Sequence, residues 1–430
     1  QTMSEKHWLA SILILFALFG IIYAFITPIF EASDELWHYP MVRHLADGNP
    51  LPVQVFDPDL AGPWKQEASQ PPLYYWVGAA LTFWIDTSDM AKVRHENPHV
   101  DNGLITQDGN RNLVVHDPSA NPWQGTLLAV RIVRVFSVLF GVVTVYLTYK
   151  IGSMAVPNRP EVALGAAAVN AFLPMFLFIT GSVNNDNLAI MLASLALFLM
   201  IRLVIKQKNQ TSVSDQSIKG TYFQQAGQWL LLGTIIGLGL LTKEGTIGLL
   251  PLVWGTAFVV AWQQDRSRNG VRSISFIATI GWLLRLLGKS ILLFALSFLP
   301  VLLIAGWWYY RNIQLYGDWL GWSAFIAVLG QRGHPASLAQ LWGERHGFLM
   351  SYWGLFGGVN IPMPGWIYTI LNTLLLLSII GFAYYFLRII WRWAKDKKEE
   401  WHHFIDWVNN LLNFVTSNFG LIACLLFATA

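Results

Sequence analysis

The chain has 430 residues, of which 54% are hydrophobic and only 12% are charged. Soluble domains carry about 25% charged residues, and a soluble chain of this length needs polar side chains to cover its surface. The composition therefore excludes a water-soluble enzyme and a disordered chain, and the single cysteine excludes a disulfide scaffold. The net charge of +3 is too balanced to indicate a nucleic-acid partner. These values predict a polytopic protein whose solvent is mostly lipid.

About nine apolar runs follow one another, and most are close to the roughly 20 residues that a helix needs to cross a bilayer. In chain order they are 9–29, 127–149, 162–180, 188–205, 229–241, 246–262, 291–308, 366–387 and 411–430. The first run lacks a small-residue cleavage signature and is predicted to be an uncleaved anchor, with a signal peptide as the alternative. The last run reaches the final residue, so a truncated chain is one interpretation of that ending. Residues 273–289 predict an interfacial amphipathic helix, because Arg285 and Lys289 share a face.

The distribution of Lys and Arg predicts the orientation, because cytoplasmic loops carry an excess of both residues. With a cytoplasmic N-terminus, the cation-rich loops lie inside and two long loops, 30–126 and 309–365, lie outside. Both loops belong to one membrane domain covering residues 1–430. The first loop is rich in tryptophan and carries predicted short helices at 35–46 and 73–85, so we expect a cap at the bilayer surface.

Two adjacent acids follow the first span in the string SDELWH at residues 33–38. If Ser33 caps a helix there, Asp34 and His38 share a face because they are four residues apart. Adjacent helical residues point about 100° apart, so Asp34 and Glu35 would not usually serve one proton together. One of the two is then a candidate general base. The alternative is structural, because acids in a first turn stabilise the helix dipole.

Four cations stand near the predicted outer ends of the spans, against the usual preference of Lys and Arg for the cytoplasmic side. They are Arg131, Arg134, Lys243 and Arg311. Together they predict an anionic group held at that depth, such as a lipid phosphate. The alternatives are side chains that snorkel to the interface, and local pairing such as Lys243 with Glu244.

Polar and aromatic residues of the outer turns are further candidates for binding substrate. Gln70 precedes a Pro-Pro pair that opens an aromatic helix, and Tyr74 lies in that helix. Its rings suit an isoprenoid chain, a sugar or simple membrane anchoring. Asn185 and Asp186 belong to a tight turn whose groups suit sugar hydroxyls, a cation or the turn itself.

Evidence for a metal site in the sequence is weak. Asp34, His38, Asp186 and His346 are oxygen and nitrogen ligand types, but no spacing singles them out. No cofactor is therefore predicted, and a divalent cation is left open.

The order of these motifs resembles the GT-C superfamily of membrane glycosyltransferases. The closest likeness is to the protein O-mannosyltransferase and aminoarabinose transferase branch, glycosyltransferase family 39. The strings that carry it are the acids at 34–35, QPPLYYW at 70–76, Arg131 with Arg134, the turn at 184–186, Lys243, WYYRN at 308–312, YGD at 316–318 and SYWGLFG at 351–357. The resemblance runs from about residue 9 to 390. Two departures stand out: Leu36 and Trp37 separate the acids from the histidine, and the family usually has more spans.

The resemblance implies an all-α, GT-C-like bundle that transfers a sugar, with inversion, from a polyprenyl-phosphate donor to an acceptor hydroxyl. Asp34, with Glu35 beside it, matches the first-loop acid and would be the base, while Arg131, Arg134, Lys243 and Arg311 would hold the donor phosphate. The implied substrate-binding residues are His38, Gln70, Tyr74, Asn185, Asp186 and Asn312. The acceptor is a protein, a lipid or a glycan, and the expected location is the outer face of the plasma membrane.

Two other classes of function are left open by the sequence. A transporter of a lipid-linked anion would use the same outer cations, but it predicts inverted repeats, and no second half matches the short runs around Lys243. A non-catalytic subunit of a larger membrane complex would have its acids covered by a partner. A lateral groove that ends near Arg131 and Asp34 would favour the transferase.

Overall fold

The computed structural model describes residues 3–100, 102–103, 105, 109–210, 218–269, 276–397 and 404–429. The helices are α1 (Met3–Ile26), α2 (Glu35–Ala46), α3 (Leu73–Thr82), α4 (Met90–Val93), α5 (Gly125–Ala155), α6 (Pro160–Ala171), α7 (Pro174–Thr180), α8 (Asp186–Gln210), α9 (Ile218–Leu240), α10 (Leu249–Asn269), α11 (Phe276–Tyr316), α12 (Trp322–Leu329), α13 (Leu338–Gly354), α14 (Gly365–Lys397), α15 (Phe404–Ser417) and α16 (Phe419–Thr429). Short 3-10 helices lie at Lys65–Ser69 and Glu244–Gly248. The described strands are β1 (Leu355–Phe356) and β2 (Ile361–Pro362), which pair antiparallel.

Among the described residues, six helices are long and apolar enough to cross a membrane, and up to eight if each of two bent pairs is one span. The six are α1, α5, α8, α10 with the turn before it, α11 and α14. The bent pairs are α6 with α7, which meet at 61°, and α15 with α16, which meet at 75°. The chain is therefore an all-α polytopic membrane protein, as the sequence predicts.

All nine predicted apolar runs lie on helices, but the count of spans becomes six to eight. The run at 229–241 forms the end of α9, whose apolar part, Gln225–Leu240, is shorter than a spanning helix. The run at 162–180 is interrupted where Pro174 begins α7. A proline at a helix start fits that position but cannot continue the preceding helix, which explains the bend there.

The predicted interfacial helix at 273–289 is wrong as a separate element, because its described part, from Phe276, continues without a break into the 41-residue helix α11. The Lys289 ammonium lies 3.2 Å from the carboxylate of Asp265 on α10, and the indole of Trp282 donates to the same carboxylate over 2.8 Å. These contacts hold the segment against α10.

The close contact of α9 with α11 forms the centre of the largest apolar cluster. Gly233 has no space for a Cβ atom, because the Ser297 backbone already occupies that position. The Ser297 hydroxyl donates to the Trp229 carbonyl over 2.9 Å. Small residues at such a crossing let two helices approach closely in lipid, where packing rather than water exclusion holds them together.

The two long loops contact each other, so they lie on the same side of the membrane domain. The Gly103 N–H donates to the Gly358 carbonyl over 2.7 Å, and the Asn360 amide donates to the Arg111 carbonyl over 3.2 Å. The helix predicted at 35–46 is α2, with the same bounds. The helix predicted at 73–85 is α3, which ends three residues earlier.

Candidate functional site

The acids that follow α1 lie at the start of α2 and point in different directions. Asp34 occupies the N-cap position, but its side chain makes no capping hydrogen bond. The His38 N–H donates to the Asp34 carbonyl over 2.8 Å, which places these two residues one turn apart on the helix. Glu35 is fully buried, whereas Asp34 is half-buried.

Glu35 forms a buried ion pair with Arg134 of α5, and neither side chain has any exposed surface. The guanidinium donates to both carboxylate oxygens, over 2.7 Å from Nε and 2.5 Å from Nη2. The Phe30 N–H, over 2.8 Å, and the Val183 N–H, over 2.9 Å, donate to the same carboxylate. This arrangement leaves Glu35 no access to an acceptor hydroxyl, so its predicted role beside the base is revised to a structural one.

The remaining N–H groups of Arg134 donate hydrogen bonds to carbonyls at the end of α1. Its Nη1 donates to the carbonyls of Ala24, over 2.9 Å, and Thr27, over 2.6 Å, and its Nη2 donates to the Pro28 carbonyl over 3.0 Å. The last carbonyls of a helix have no partner within the helix, so a cation there satisfies them and interacts well with the helix dipole. Arg134 therefore joins α1, α2 and α5, and its predicted role on the donor phosphate is also revised.

An open charged group lies beside Asp34, formed by Asp186 at the start of α8 and Lys243 just before α10. The Lys243 ammonium is 2.5 Å from the Asp186 carboxylate, and the two side chains are 33% and 37% exposed. The pKa of Asp34 is raised by burial and by the negative charge of Asp186, while Lys243 acts against that rise. The carboxylate of Asp34 accepts no hydrogen bond from the part of the chain that the structure describes. We call Asp34, Asp186 and Lys243 the charged cluster.

The turn that carries Asp186 is held in place by the helix α3 and the residues before it. The Asn184 N–H donates to the Tyr74 hydroxyl over 3.1 Å, and the Asn184 side chain accepts the Asp186 N–H over 2.8 Å. The Asn185 amide is 2.5 Å from the Gln70 side-chain oxygen. Asn185 is fully buried, and its own oxygen has no partner among the described residues.

The Tyr74 hydroxyl also contacts the Ser137 hydroxyl over 2.8 Å, and the tyrosine is 2% exposed. The Tyr74 side chain is therefore too buried to contact an isoprenoid chain or a sugar, and it supports the Asn184 turn instead. Gln70 is also buried and bound to Asn185, whose side-chain oxygen is buried without a partner among the described residues.

Arg131 and Arg311 contact different aromatic residues. Arg131 donates to the Pro122 carbonyl and lies 5.8 Å and 5.9 Å from the ring centres of Phe25 and Trp123. These contacts are typical of a cation anchored among aromatic rings at the end of a span. None of them involves the charged cluster.

Arg311 lies 4.9 Å from the ring centre of Trp308 and donates to the Pro52 carbonyl over 2.8 Å. Its Nη1 is buried without a partner among the described residues, as is the side-chain oxygen of the fully buried Asn312. The helix α11 reaches the turn before Lys243 through the Tyr309 hydroxyl, which donates to the Leu240 carbonyl over 3.1 Å. Arg311 therefore lies at the same end of the bundle as the charged cluster.

A buried acid that the sequence did not single out, Glu67, lies beside His38. Its carboxylate accepts from the Tyr75 hydroxyl over 3.3 Å and from the Gln66 amide over 2.9 Å, and lies 3.4 Å from Nδ1 of His38. His38 is 3% exposed, so it faces this network and not a ligand. The only sequence signal for Glu67 is an acid three residues before Gln70, which no periodicity marks as buried.

No group of three or more His, Cys, Asp or Glu side chains suited to a metal ion occurs in the described ranges. The charged cluster has two carboxylates, but the Lys243 ammonium is already bonded to one of them, and a positive charge there disfavours a bound cation. His346, the remaining ligand type, lies exposed on α13.

Comparison with known proteins gives one family. A family model described as dolichyl-phosphate-mannose-protein mannosyltransferase matches residues 129–214, which include Arg134 and the turn at 184–187. Neither curated proteins nor solved structures gave a match. The matched stretch supports membership of the GT-C superfamily of membrane glycosyltransferases.

Proposed function

We propose that this GT-C membrane protein transfers a sugar from a polyprenyl-phosphate donor to an acceptor hydroxyl at the outer face of the membrane, with inversion. The observation that carries the proposal is the charged cluster, in which a free carboxylate lies beside a lysine at the loop side of the bundle. Inverting transfer needs a base for the acceptor and positive charge for the leaving phosphate. The acceptor, whether a protein, a lipid or a glycan, is left open.

Asp34 is the proposed base. Its carboxylate accepts no hydrogen bond from the described residues, and its pKa is raised by burial and by Asp186. A carboxylate with a raised pKa takes a proton more readily, because its basicity moves toward the operating pH. The acceptor oxygen loses its proton to Asp34 while it attacks the anomeric carbon from the face opposite the phosphate, and the glycosidic phosphate bond breaks with its electrons on the phosphate.

Lys243 is the proposed partner of the departing phosphate, with Arg311 as the second cation. Asp186 holds the Lys243 ammonium in place at 2.5 Å, and a phosphate would share this ammonium because Lys has three donors. One guanidinium nitrogen of Arg311 has no partner among the described residues, and neither has the buried side-chain oxygen of Asn185. Arg134 is not proposed as a phosphate ligand, because its guanidinium is paired with Glu35. Arg131 is not proposed either, because its contacts do not include the charged cluster.

The proposal is tested with purified protein in lipid nanodiscs, radiolabelled dolichyl-phosphate mannose and related polyprenyl-phosphate sugars, and a cell-envelope extract as the source of acceptors. We expect label to move to an acceptor and free polyprenyl phosphate to form in equal amount. Binding of the donors with no transfer to any fraction would contradict the transferase and would favour a carrier of lipid-linked sugars.

Replacing Lys243 with alanine should lower kcat about 10²-fold, because a preorganised charge aimed at the leaving group acts mainly in the transition state. The same variant should also raise KM for the donor, since the ammonium contacts the phosphate before reaction. Lys92→Ala is the matched control, because Lys92 is a lysine of the first long loop that is 76% exposed and does not belong to the charged cluster. Steady-state transfer by both variants is the measurement, and equal kcat values would remove Lys243 from the mechanism.

A further inference from the structure

Glu35 and Glu67 are both buried, and of these two glutamates Glu35 alone is paired with an arginine or lysine among the described residues. Glu35 is held by Arg134 through two hydrogen bonds. Among the described residues, the carboxylate of Glu67, which is 3% exposed, has only the side chains of Gln66, Tyr75 and His38 within hydrogen-bonding reach. A buried carboxylate without a paired cation tends to take up a proton, because burial penalises its charged form.

The side chains that contact Glu67 from the neighbouring elements carry no positive charge. On α2, His38 stays uncharged because burial lowers its pKa to about 3, and Tyr75 on α3 stays protonated because burial raises its pKa. The helix α12 packs against the Glu67 turn and carries no titratable residue. The charged neighbours are Asp34, Lys243 and Glu244, and the ammonium of Lys243 is already bound to Asp186.

We propose that Glu67 is a positioning residue that must keep its proton for the donor phosphate to bind. This inference rests on the proposed function, because it takes the charged cluster as the site that binds the donor phosphate. The cluster already holds two acids, Asp34 and Asp186, around one lysine. An ionised Glu67 would add a further negative charge beside the same lysine and would oppose an incoming phosphate. The neutral acid instead keeps Tyr75 and His38 in place behind Asp34.

The pH at which this proton is lost lies within the working range of a binding experiment. Burial, followed by the negative charge of Asp34, raises the pKa of Glu67 to about 8. The protonated fraction then falls from about 90% at pH 7 to about 10% at pH 9. If only the protonated protein binds, the apparent Kd rises about tenfold over this interval. Burial acts to lower the pKa of Lys243, but Asp186 holds it above its usual value, so the ammonium stays charged.

The test measures binding of dolichyl-phosphate mannose to the full-length protein in nanodiscs between pH 7 and pH 9. This probe is a phosphodiester, so its own charge does not change in that range. We expect the ratio of Kd at pH 9 to Kd at pH 7 to be about ten for the parent and near one for Glu67→Gln. Glu344→Gln is the matched control, because Glu344 is exposed in the other long loop, and it should keep the tenfold ratio.

A second measurement separates this inference from the proposed function. The pKa of Glu67 is raised above its unfolded value, so the stability of the parent is lost progressively as the pH rises from about 4.5 through about 8. The melting temperature of Glu67→Gln should therefore exceed that of the parent by an amount that grows from pH 5 to pH 9. A constant difference, or an equal Kd ratio in parent and Glu67→Gln, would overturn the inference. A growing difference without donor binding at any pH would overturn the proposed donor site instead.

Discussion

Replacing Asp34 with asparagine is expected to lower the rate of sugar transfer about 10³-fold while leaving the protein folded. Asparagine has nearly the same volume, but its amide does not accept a proton from a hydroxyl. The fold should survive because the Asp34 side chain makes no capping hydrogen bond to α2. Single-turnover transfer with saturating donor in nanodiscs is the measurement, since it reports the chemical step apart from product release.

The same substitution should tighten donor binding, and this sign distinguishes a base from a phosphate ligand. Asp34 and Asp186 both place negative charge near Lys243, so removing one of these charges favours an anionic donor. Asp117→Asn is the matched control, because Asp117 lies in the same loop at the surface and pairs with Lys92. It should change neither rate nor affinity by more than about twofold. Folded Asp34→Asn that transfers sugar at the parental rate would show that another group takes the proton.

The sequence predicted the architecture because each signal was local. Apolar runs marked each of the six described helices that are long and apolar enough to cross a membrane, and the Pro-Pro pair before Tyr74 marked the start of α3. The bounds of α2 also came from the sequence, where acids open the helix and a Gly-Asn-Pro turn follows it. The continuity of α11 through Lys289 was missed, since it depends on contacts with the neighbouring helix α10. The bend at Pro174 was missed as well, although the proline that causes it is a local signal.

The roles within the site were harder to predict, because they depend on partners far apart in the chain. In the sequence, Arg134 and Lys243 are both cations near the outer end of a span. In the structure, Arg134 is buried against Glu35, an acid 99 positions away, whereas the Lys243 side chain is 33% exposed. Glu35 and Asp34 are adjacent in the sequence. Only the burial of Glu35 indicates that Glu35 has a structural role, while Asp34 remains the candidate base. Glu67 carried no signal, because burial of an acid in an irregular turn is set entirely by tertiary packing.

The buried ion pair of Glu35 and Arg134 connects several parts of the fold through hydrogen bonds to the backbone. Its five hydrogen bonds to backbone carbonyls and amides at the end of α1, at Phe30 and at Val183 surround a pair that has no exposed surface. In such a site the pair itself need not be stabilising, because desolvation offsets much of the attraction. Loss of one partner is costly, because the remaining charge stays buried without a counter-ion.

Replacing Arg134 with methionine should therefore lower the free energy of unfolding by about 3 to 5 kcal/mol. The double variant Glu35→Gln with Arg134→Met should recover part of this loss, because glutamine leaves no buried charge and its oxygen still accepts the N–H of Phe30 or Val183. Arg332→Met, which opens the exposed pair with Glu344, is the control and should leave the melting temperature nearly unchanged.

Thermal and denaturant unfolding in the same nanodiscs measure these differences, and donor binding by the folded fraction tests the revised role of Arg134. If Arg134 only supports the fold, the folded part of Arg134→Met should bind dolichyl-phosphate mannose with parental affinity, whereas Lys243→Ala should not. Arg134→Met with parental stability and weakened donor binding would return Arg134 to the phosphate site. That result would also require Glu35 to release the guanidinium when donor binds, since in this structure every guanidinium nitrogen of Arg134 is already bonded within the protein.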